Sequence, residues 1–521
     1  MNTFVHGSGT DHHGDLERAR ALRRAATASF IGNFIEWFDY ASYGYLAGVI
    51  GSVFFPESDK QVQLMLSFAV FAMSFVLRPI GAVIWGAWGD RRGRRWALSW
   101  SILIMSGSTC LIGFLPTYAM VGVWSALGLL VLRMVQGFSA SGEYAGAGTF
   151  LAEYAPPARR GIYTCLVPAS TACGLLAGSL MVSGMLFGLG GESSTAMTQW
   201  GWRIPFMLAG PLGLIGRYIR VHLEDSPAYR AMRAEMPQEP RSTRWSEPLL
   251  LLLRHHWRET LITFGVSCLN AVAFYMLLSY MPTYVKEELH FKEETATLAT
   301  SIMLVVYIVS IFAMGHLSDS FGRRRMLIAA CIAFIVLSIP LFIAMTKATG
   351  MLSVVILCQI IFAIVLTAND GTLATFLAES FPTNVRYSGF ALSFNGANAL
   401  LGGTTPVIVT WLIKTTGSSL APAVYLTVVA LIAMGAILMS RGIRNSELTE
   451  LRRSVLAGRL RAARRPALCY PTKTWLIPCL PPFNRLARLG AAYARLRAER
   501  DDDRRSSKRP LRSFARRGRP R

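Results

Sequence analysis

Gly86-Ala-Trp-Gly-Asp90-Arg91-Arg92-Gly93-Arg94-Arg95 returns later in the chain as Gly315-His-Leu-Ser-Asp319-Ser-Phe-Gly322-Arg323-Arg324-Arg325. In both copies a Gly, three residues, an Asp, two residues, a Gly and then arginines follow an apolar run. The two Asp positions lie 229 residues apart, close to half of the apolar part of the chain. A polar phrase repeated between hydrophobic segments points to a membrane protein built from two related halves. A second echo has nearly the same offset: Glu153-Tyr-Ala-Pro156-Pro-Ala-Arg159-Arg160-Gly161 matches Glu379-Ser-Phe-Pro382-Thr-Asn-Val-Arg386-Tyr-Ser-Gly389, 226 residues on.

The composition agrees. Of the 521 residues 52% are hydrophobic and only 16% are charged, with a mean hydropathy of +0.39. A soluble domain of this length needs far more polar surface. With about 20 apolar residues per span, twelve stretches qualify, roughly 26–51, 62–88, 97–115, 119–142, 163–187, 203–222, 258–284, 295–317, 326–345, 351–377, 388–413 and 419–440. The expected fold is an all-α membrane protein with twelve transmembrane helices in two pseudo-symmetric six-helix bundles. The expected organisation is an N-terminal tail (1–25), a first bundle (26–222), a joining loop (223–257), a second bundle (258–441) and a basic tail (442–521).

Lys and Arg set the orientation. They crowd the even-numbered connections and both ends, while the odd-numbered connections hold only Lys60, Lys286, Lys292, Lys347 and Lys414. Both termini, the joining loop and both copies of the repeated phrase are therefore expected in the cytoplasm. Met1–Asp15 is polar and the first apolar run is too long for a signal-peptide core, so no cleaved leader is expected. Residues 441–521 hold 23 Lys/Arg against 6 Asp/Glu and supply 17 of the 23 net positive charges. Charge concentrated in one tail suits contact with anionic lipid better than nucleic acid; the tail lacks sustained heptads and is expected to be disordered. Six of the eight cysteines lie in apolar spans and read as small buried hydrophobes. No CxxC, metal-ligand spacing, phosphate-binding Gly loop with GK[ST] or nucleophile constellation is present, so neither an enzyme nor a bound cofactor or metal is expected. His12-His13 reads as solvated tail.

These motifs resemble the major facilitator superfamily: the Gly86–Arg95 phrase its signature between spans two and three, and Arg133-Met-Val-Gln136-Gly137 its span-four signature. Within it the chain is similar to the metabolite:proton symporters. That similarity runs through Asn33-Phe-Ile-Glu36-Trp37-Phe38-Asp39, Arg78-Pro79-Ile-Gly81, Gln136-Gly-Phe-Ser-Ala-Ser-Gly142-Glu143-Tyr144, Trp200-Gly-Trp-Arg203-Ile-Pro205-Phe206, Phe381-Pro-Thr-Asn-Val-Arg386-Tyr and Gly402-Gly-Thr-Thr-Pro406. Tyr275-Met-Leu-Leu-Ser-Tyr280-Met281-Pro282-Thr-Tyr284 is most similar to the proline/betaine transporters. The resemblance implies a symporter that imports a small zwitterionic compatible solute, such as proline or glycine betaine, with protons across a bacterial inner membrane by alternating access. Other members of the group carry di- or tricarboxylates such as α-ketoglutarate or citrate, which stays open as the alternative; a non-transporting membrane sensor is a third. The expected partners are thus a small solute, protons and the bilayer, with anionic lipid at the tail and no nucleic acid.

Charges inside the bilayer are costly and mark function by default. Glu36 and Asp39 share a face of the first span, with Tyr43 one turn beyond Asp39; Gln136 and Glu143 share a face of the fourth. Glu36, Asp39, Arg78, Arg133, Gln136, Glu143 and Asp370 are the candidates for proton coupling or solute contact. A structural ion pair between one of the acids and Arg78 or Arg133 is the competing explanation. Trp37, Tyr40, Tyr43, Tyr275 and Tyr280 are candidates for an aromatic lining that would hold a quaternary ammonium. A charged latch is expected from Asp90, Arg91, Arg94, Asp319 and Arg323, with Gly86, Gly93 and Gly322 allowing close approach. Glu153, Glu379 and Arg386 complete this cytoplasmic gate. Asn395, Asn398 and the Gly402-Gly403…Pro406 break in span eleven are expected to give polar lining and a flexible point. Gly174 and Gly178 are expected to pack the halves together.

Overall fold

In lipid every backbone polar group must be bonded within the protein, and an apolar chain meets that demand by forming helices. The computed structural model describes residues 9–191, 194–235, 247–348 and 350–440, all in the first of two compact units, Met1–Arg452. The expectations for the basic tail fall outside the described residues.

Among the described residues ten helices are long and apolar enough to cross a membrane: α2 Val62–Arg92, α3 Arg94–Phe114, α4 Val123–Tyr154, α5 Pro157–Leu189, α7 Trp257–Glu287, α8 Thr295–Phe321, α9 Arg323–Lys347, α10 Leu352–Glu379, α11 Arg386–Thr416 and α12 Ala421–Met439. Two more complete the expected twelve, α1 Gly9–Tyr45 and α6 Arg203–Val221. Buried charge lowers their hydropathy, because Glu36 and Asp39 of α1 and Arg220 of α6 point into the protein and not into lipid. Helix α1 begins well ahead of residue 26, and the joining loop carries short helices at Pro227–Glu235 and Glu247–His255, so neither segment is wholly irregular.

The bundles α1–α6 and α7–α12 repeat one packing scheme: α1 lies on α5 as α7 lies on α11, and α3 on α6 as α9 on α12. The halves meet where α2 packs on α11 and where α5 packs on α8, two contacts related by the same duplication. The first glycine of each repeated phrase sits at one of them. A Cβ on Gly86 would stand 2.7 Å from Ser388 Cα of α11, and one on Gly315 would stand 3.0 Å from the Gly161 carbonyl oxygen of α5. Gly174 and Gly178 differ from expectation. They face the backbone of α1 at Phe34 and Phe38 and so pack α5 onto α1 within one half.

Two helices loosen near the middle of the molecule. Tyr275–Tyr280 in α7 and Asn398–Gly402 in α11 form π-helical turns, which recur at functional positions. The second lies at the anticipated break before Pro406.

Candidate functional site

The second glycine of each phrase links two spans. Gly93, between α2 and α3, has φ +106°, and Gly322, between α8 and α9, has φ +91°; an L side chain is strained in that region. Just before each glycine, the Asp reaches across to the other half. Asp90 accepts hydrogen bonds from the Tyr387 N–H (3.1 Å), the Ser388 N–H (2.9 Å) and the Ser388 hydroxyl (2.7 Å), which caps the start of α11. Asp319 accepts from the Gly161 N–H (2.8 Å) and the Ile162 N–H (3.1 Å) in the first turns of α5. Unpaired N–H groups at a helix start favour an anion there.

An arginine one turn later completes each latch. Arg94 pairs with Asp90 (3.1 Å) and Glu153 (3.2 Å), and Glu153 also takes Arg386 (3.0 Å). Arg323 pairs with Asp319 (2.7 Å) and approaches Glu379 (3.6 Å), which also takes Arg160 (3.4 Å). The two sets correspond residue for residue. They differ in exposure: Asp90, Arg94 and Glu153 are fully covered, whereas the Arg160 and Glu379 side chains are each 30% exposed. Arg160 was not among the sequence candidates, although its offset of 226 from Arg386 marks it. Arg91 stands beside the first latch, where its carbonyl accepts from the Tyr229 hydroxyl (2.7 Å), and Asp90 has Arg94 as its partner.

Deeper in the first half, three arginines are buried against three carboxylates. Arg78 pairs with Glu36 (3.0 Å) and donates to the Tyr40 hydroxyl (2.5 Å). Arg133 pairs with Asp39 (2.7 Å), donates to Gln136 Oε1 (2.6 Å) and lies 3.8 Å from the Tyr43 ring centroid. Gln136 donates in turn to Asp39 and to the Thr109 hydroxyl. Arg220 pairs with both oxygens of Glu143 and donates to the carbonyls of Leu98 (2.6 Å) and Ala28 (3.0 Å). Glu36 and Asp39, neighbours on one face of α1, thus serve different arginines. Gln136 and Glu143 part company because the turn at Ser141-Gly142 interrupts α4 between them. Arg220 was missed; it is an arginine inside an apolar run, and the rule that flagged Arg133 would have flagged it.

Asp370 stands apart. It is 1% exposed, and its hydrogen-bond partners are neutral: Asn270 Nδ2 (2.6 Å) and the Tyr307 hydroxyl (2.5 Å). It lines a cavity between the halves together with Trp37, Tyr144, Phe274, Phe394, Asn270 and Asn398. The walls are closed down to about the room of one water molecule. Tyr144 stacks on Phe394 at 4.1 Å, and Trp37 meets Phe274 at 4.9 Å, so aromatic rings from both halves close on an acid. Of the five aromatic candidates only Trp37 reaches this cavity. Tyr275 packs beside it against Phe75 (5.7 Å) and Trp37 (6.1 Å). The rings of Tyr40 and Tyr43 face Arg78 and Arg133, and Tyr280 accepts from the Thr410 hydroxyl. Phe274, Phe394, Asn270 and Tyr307 carried no distinguishing pattern in the sequence, because single aromatic or amide residues in an apolar span read as packing.

A profile of the Major Facilitator Superfamily matches residues 29–393 and 263–483. The chain is 38% identical over 419 residues to the glycine betaine/proline/ectoine/pipecolic acid transporter OusA of Dickeya dadantii, covering 79% of this chain and 82% of the relative. It is likewise 38% identical to the proline/betaine transporter of Salmonella typhimurium over the same shares. It is 36% identical to the ectoine/proline transporter ProP of Corynebacterium glutamicum over 430 residues, 80% and 84% of the two chains. Among solved structures the proton:xylose symporter XylE bound to 6-bromo-6-deoxy-D-glucose superposes with a TM-score of 0.67 at 18% identity, covering 81% of this chain and 96% of that one. The human organic anion transporter MFSD10 follows at 0.55 and 14%, covering 80% and 99%. With its duplicated latches, its twelve helices and these relatives, the chain belongs to the major facilitator superfamily, a family of multi-pass membrane transporters rather than enzymes, and within it to the group that holds the curated proline/betaine transporters.

Proposed function

We propose that this protein is a proton-coupled symporter that imports a small zwitterion with a substituted ammonium group, proline or glycine betaine, across a bacterial inner membrane. The observation that carries the solute class is the uncompensated carboxylate of Asp370 in a box of aromatic rings. A quaternary or secondary ammonium is attracted both to ring faces and to a carboxylate that has shed its water. A di- or tricarboxylate would instead need a cation in the cavity wall, and the residues that line it beside Asp370 are all uncharged. The names of the relatives point the same way.

The latches lie on the side where Lys and Arg concentrate, which supports a cytoplasmic position for them and for both termini. Closed latches with a contracted cavity suit a carrier whose halves rock about a central site. The test is stabilisation of the purified protein by solutes. Glycine betaine and proline should raise the unfolding temperature progressively with their concentration and α-ketoglutarate should not. Stabilisation by α-ketoglutarate alone would transfer the protein to the carboxylate carriers.

A further inference from the structure

If Asp370 faces the cationic group of the solute, the solute's carboxylate also needs a partner, and the co-transported proton needs a site of its own. The three buried ion pairs differ in how firmly they are held. Glu143 gives both oxygens to Arg220, which two backbone carbonyls also fix. Arg133 and Asp39 are tied through Gln136 and Thr109 inside the first half; Arg133 Nε and Nη2 and Asp39 Oδ1 are unpaired, but the guanidinium lies against Tyr43.

The Glu36–Arg78 pair has a single ion-pair bond, and Glu36 Oε2 and Arg78 Nε have no partner. It also borders the other half. Arg78 lies 4.5 Å from the centroid of Phe75, whose ring packs on Tyr275 of α7. Two further buried donors here have no partner, the Tyr275 hydroxyl and Trp37 Nε1, and Trp37 lines the cavity that holds Asp370. Buried polar groups are rarely left unpaired, and donors gathered at one place can serve an anion.

We propose that Glu36 takes the co-transported proton and thereby releases Arg78 to bind the carboxylate of the solute, with the Tyr275 hydroxyl and Trp37 Nε1 as further donors. This rests on the zwitterion reading. A proton from water adds to a Glu36 carboxylate oxygen, and the salt bridge to Arg78 breaks. Arg78 stays charged and pairs with the solute carboxylate, while the ammonium settles against Asp370. No bond of the solute changes. On the other side the solute leaves, Arg78 returns to Glu36, and the proton passes to water.

Each ligand needs the other. Without the proton, Glu36 and the solute carboxylate compete for one guanidinium; without the solute, a protonated Glu36 leaves Arg78 buried with no counter-ion. Such coupling is reciprocal by linkage. The charged and titratable groups around Glu36 are Arg78 of α2, Glu143 of α4, Asp39 and Tyr40 of its own helix, and Tyr275 of α7. Among them Arg78 is the cation.

The full-length protein in liposomes tests this with labelled glycine betaine. Glu36→Gln should keep betaine exchange between the two sides and lose proton-driven accumulation. Tyr275→Phe should weaken betaine binding about tenfold and leave binding of choline, which lacks the carboxylate, unchanged. Protonophore-sensitive accumulation by Glu36→Gln would overturn the proposal. If that variant fails to insert, an unchanged betaine-to-choline ratio in Tyr275→Phe overturns it instead. A wild-type protein that ignores betaine would overturn the zwitterion reading, which separates the two failures.

Discussion

Asp370 carries the specificity argument because its hydrogen-bond partners, Asn270 and Tyr307, are both neutral. Replacing it with Asn keeps its size and removes its charge, so Asn270 and Tyr307 retain a neighbour to bond. Asp370→Asn is expected to weaken betaine binding about a hundredfold, the scale for removing one member of a buried charge pair, with little loss of folded protein. Binding isotherms on the purified variant measure this; unchanged affinity would remove Asp370 from the site. Arg220 gives the opposite kind of test. Arg220→Met leaves Glu143 buried and unpaired, which costs about 3–5 kcal/mol. Adding Glu143→Gln should recover most of that loss in thermal unfolding. If the two losses simply add, the pair is not a closed structural unit.

The repeated phrase is the informative element, and its letters have separate physical duties. Its first glycine lets a helix of one half touch a helix of the other, its Asp caps that partner helix, its second glycine turns the chain at positive φ, and its arginine closes on the Asp. Gly93→Ala and Gly322→Ala should each cost about 1–2 kcal/mol from backbone strain. The loss should be larger at Gly93, where a Cβ would strike Asp225, than at Gly322, where it meets open space. The latches should also differ in strength. Asp90→Asn breaks a fully covered network, Asp319→Asn a partly wetted one, so the first should open the latch end more. Labelling of a cysteine placed at Thr383, whose carbonyl accepts from Arg94, reads this; equal labelling rates would mean that burial does not set latch strength. These devices were legible in the sequence because they are written twice and break an apolar run. Arg160 needed only the same offset applied once more.

At the scale of the whole molecule the sequence disclosed the two halves, the spans and the acids, because hydropathy and charge in a membrane are unmistakable. It did not disclose which acid meets which arginine. Glu36 and Asp39 lie one turn apart, and only the packing of α2 and α4 against α1 assigns Arg78 to one and Arg133 to the other. Nor did it foresee the aromatic box, since Tyr144, Phe274 and Phe394 come from three helices and converge only in the folded chain. Three balanced ion pairs in the first half and one unbalanced acid from the second give the centre a net negative charge, suited to receiving a proton together with a neutral zwitterion. The most direct measurement is accumulation of labelled glycine betaine in liposomes carrying the protein under an imposed proton gradient. Betaine should concentrate inside while the gradient lasts and leak to equilibrium when a protonophore is added. Accumulation that survives the protonophore, or accumulation of α-ketoglutarate in place of betaine, would contradict the account.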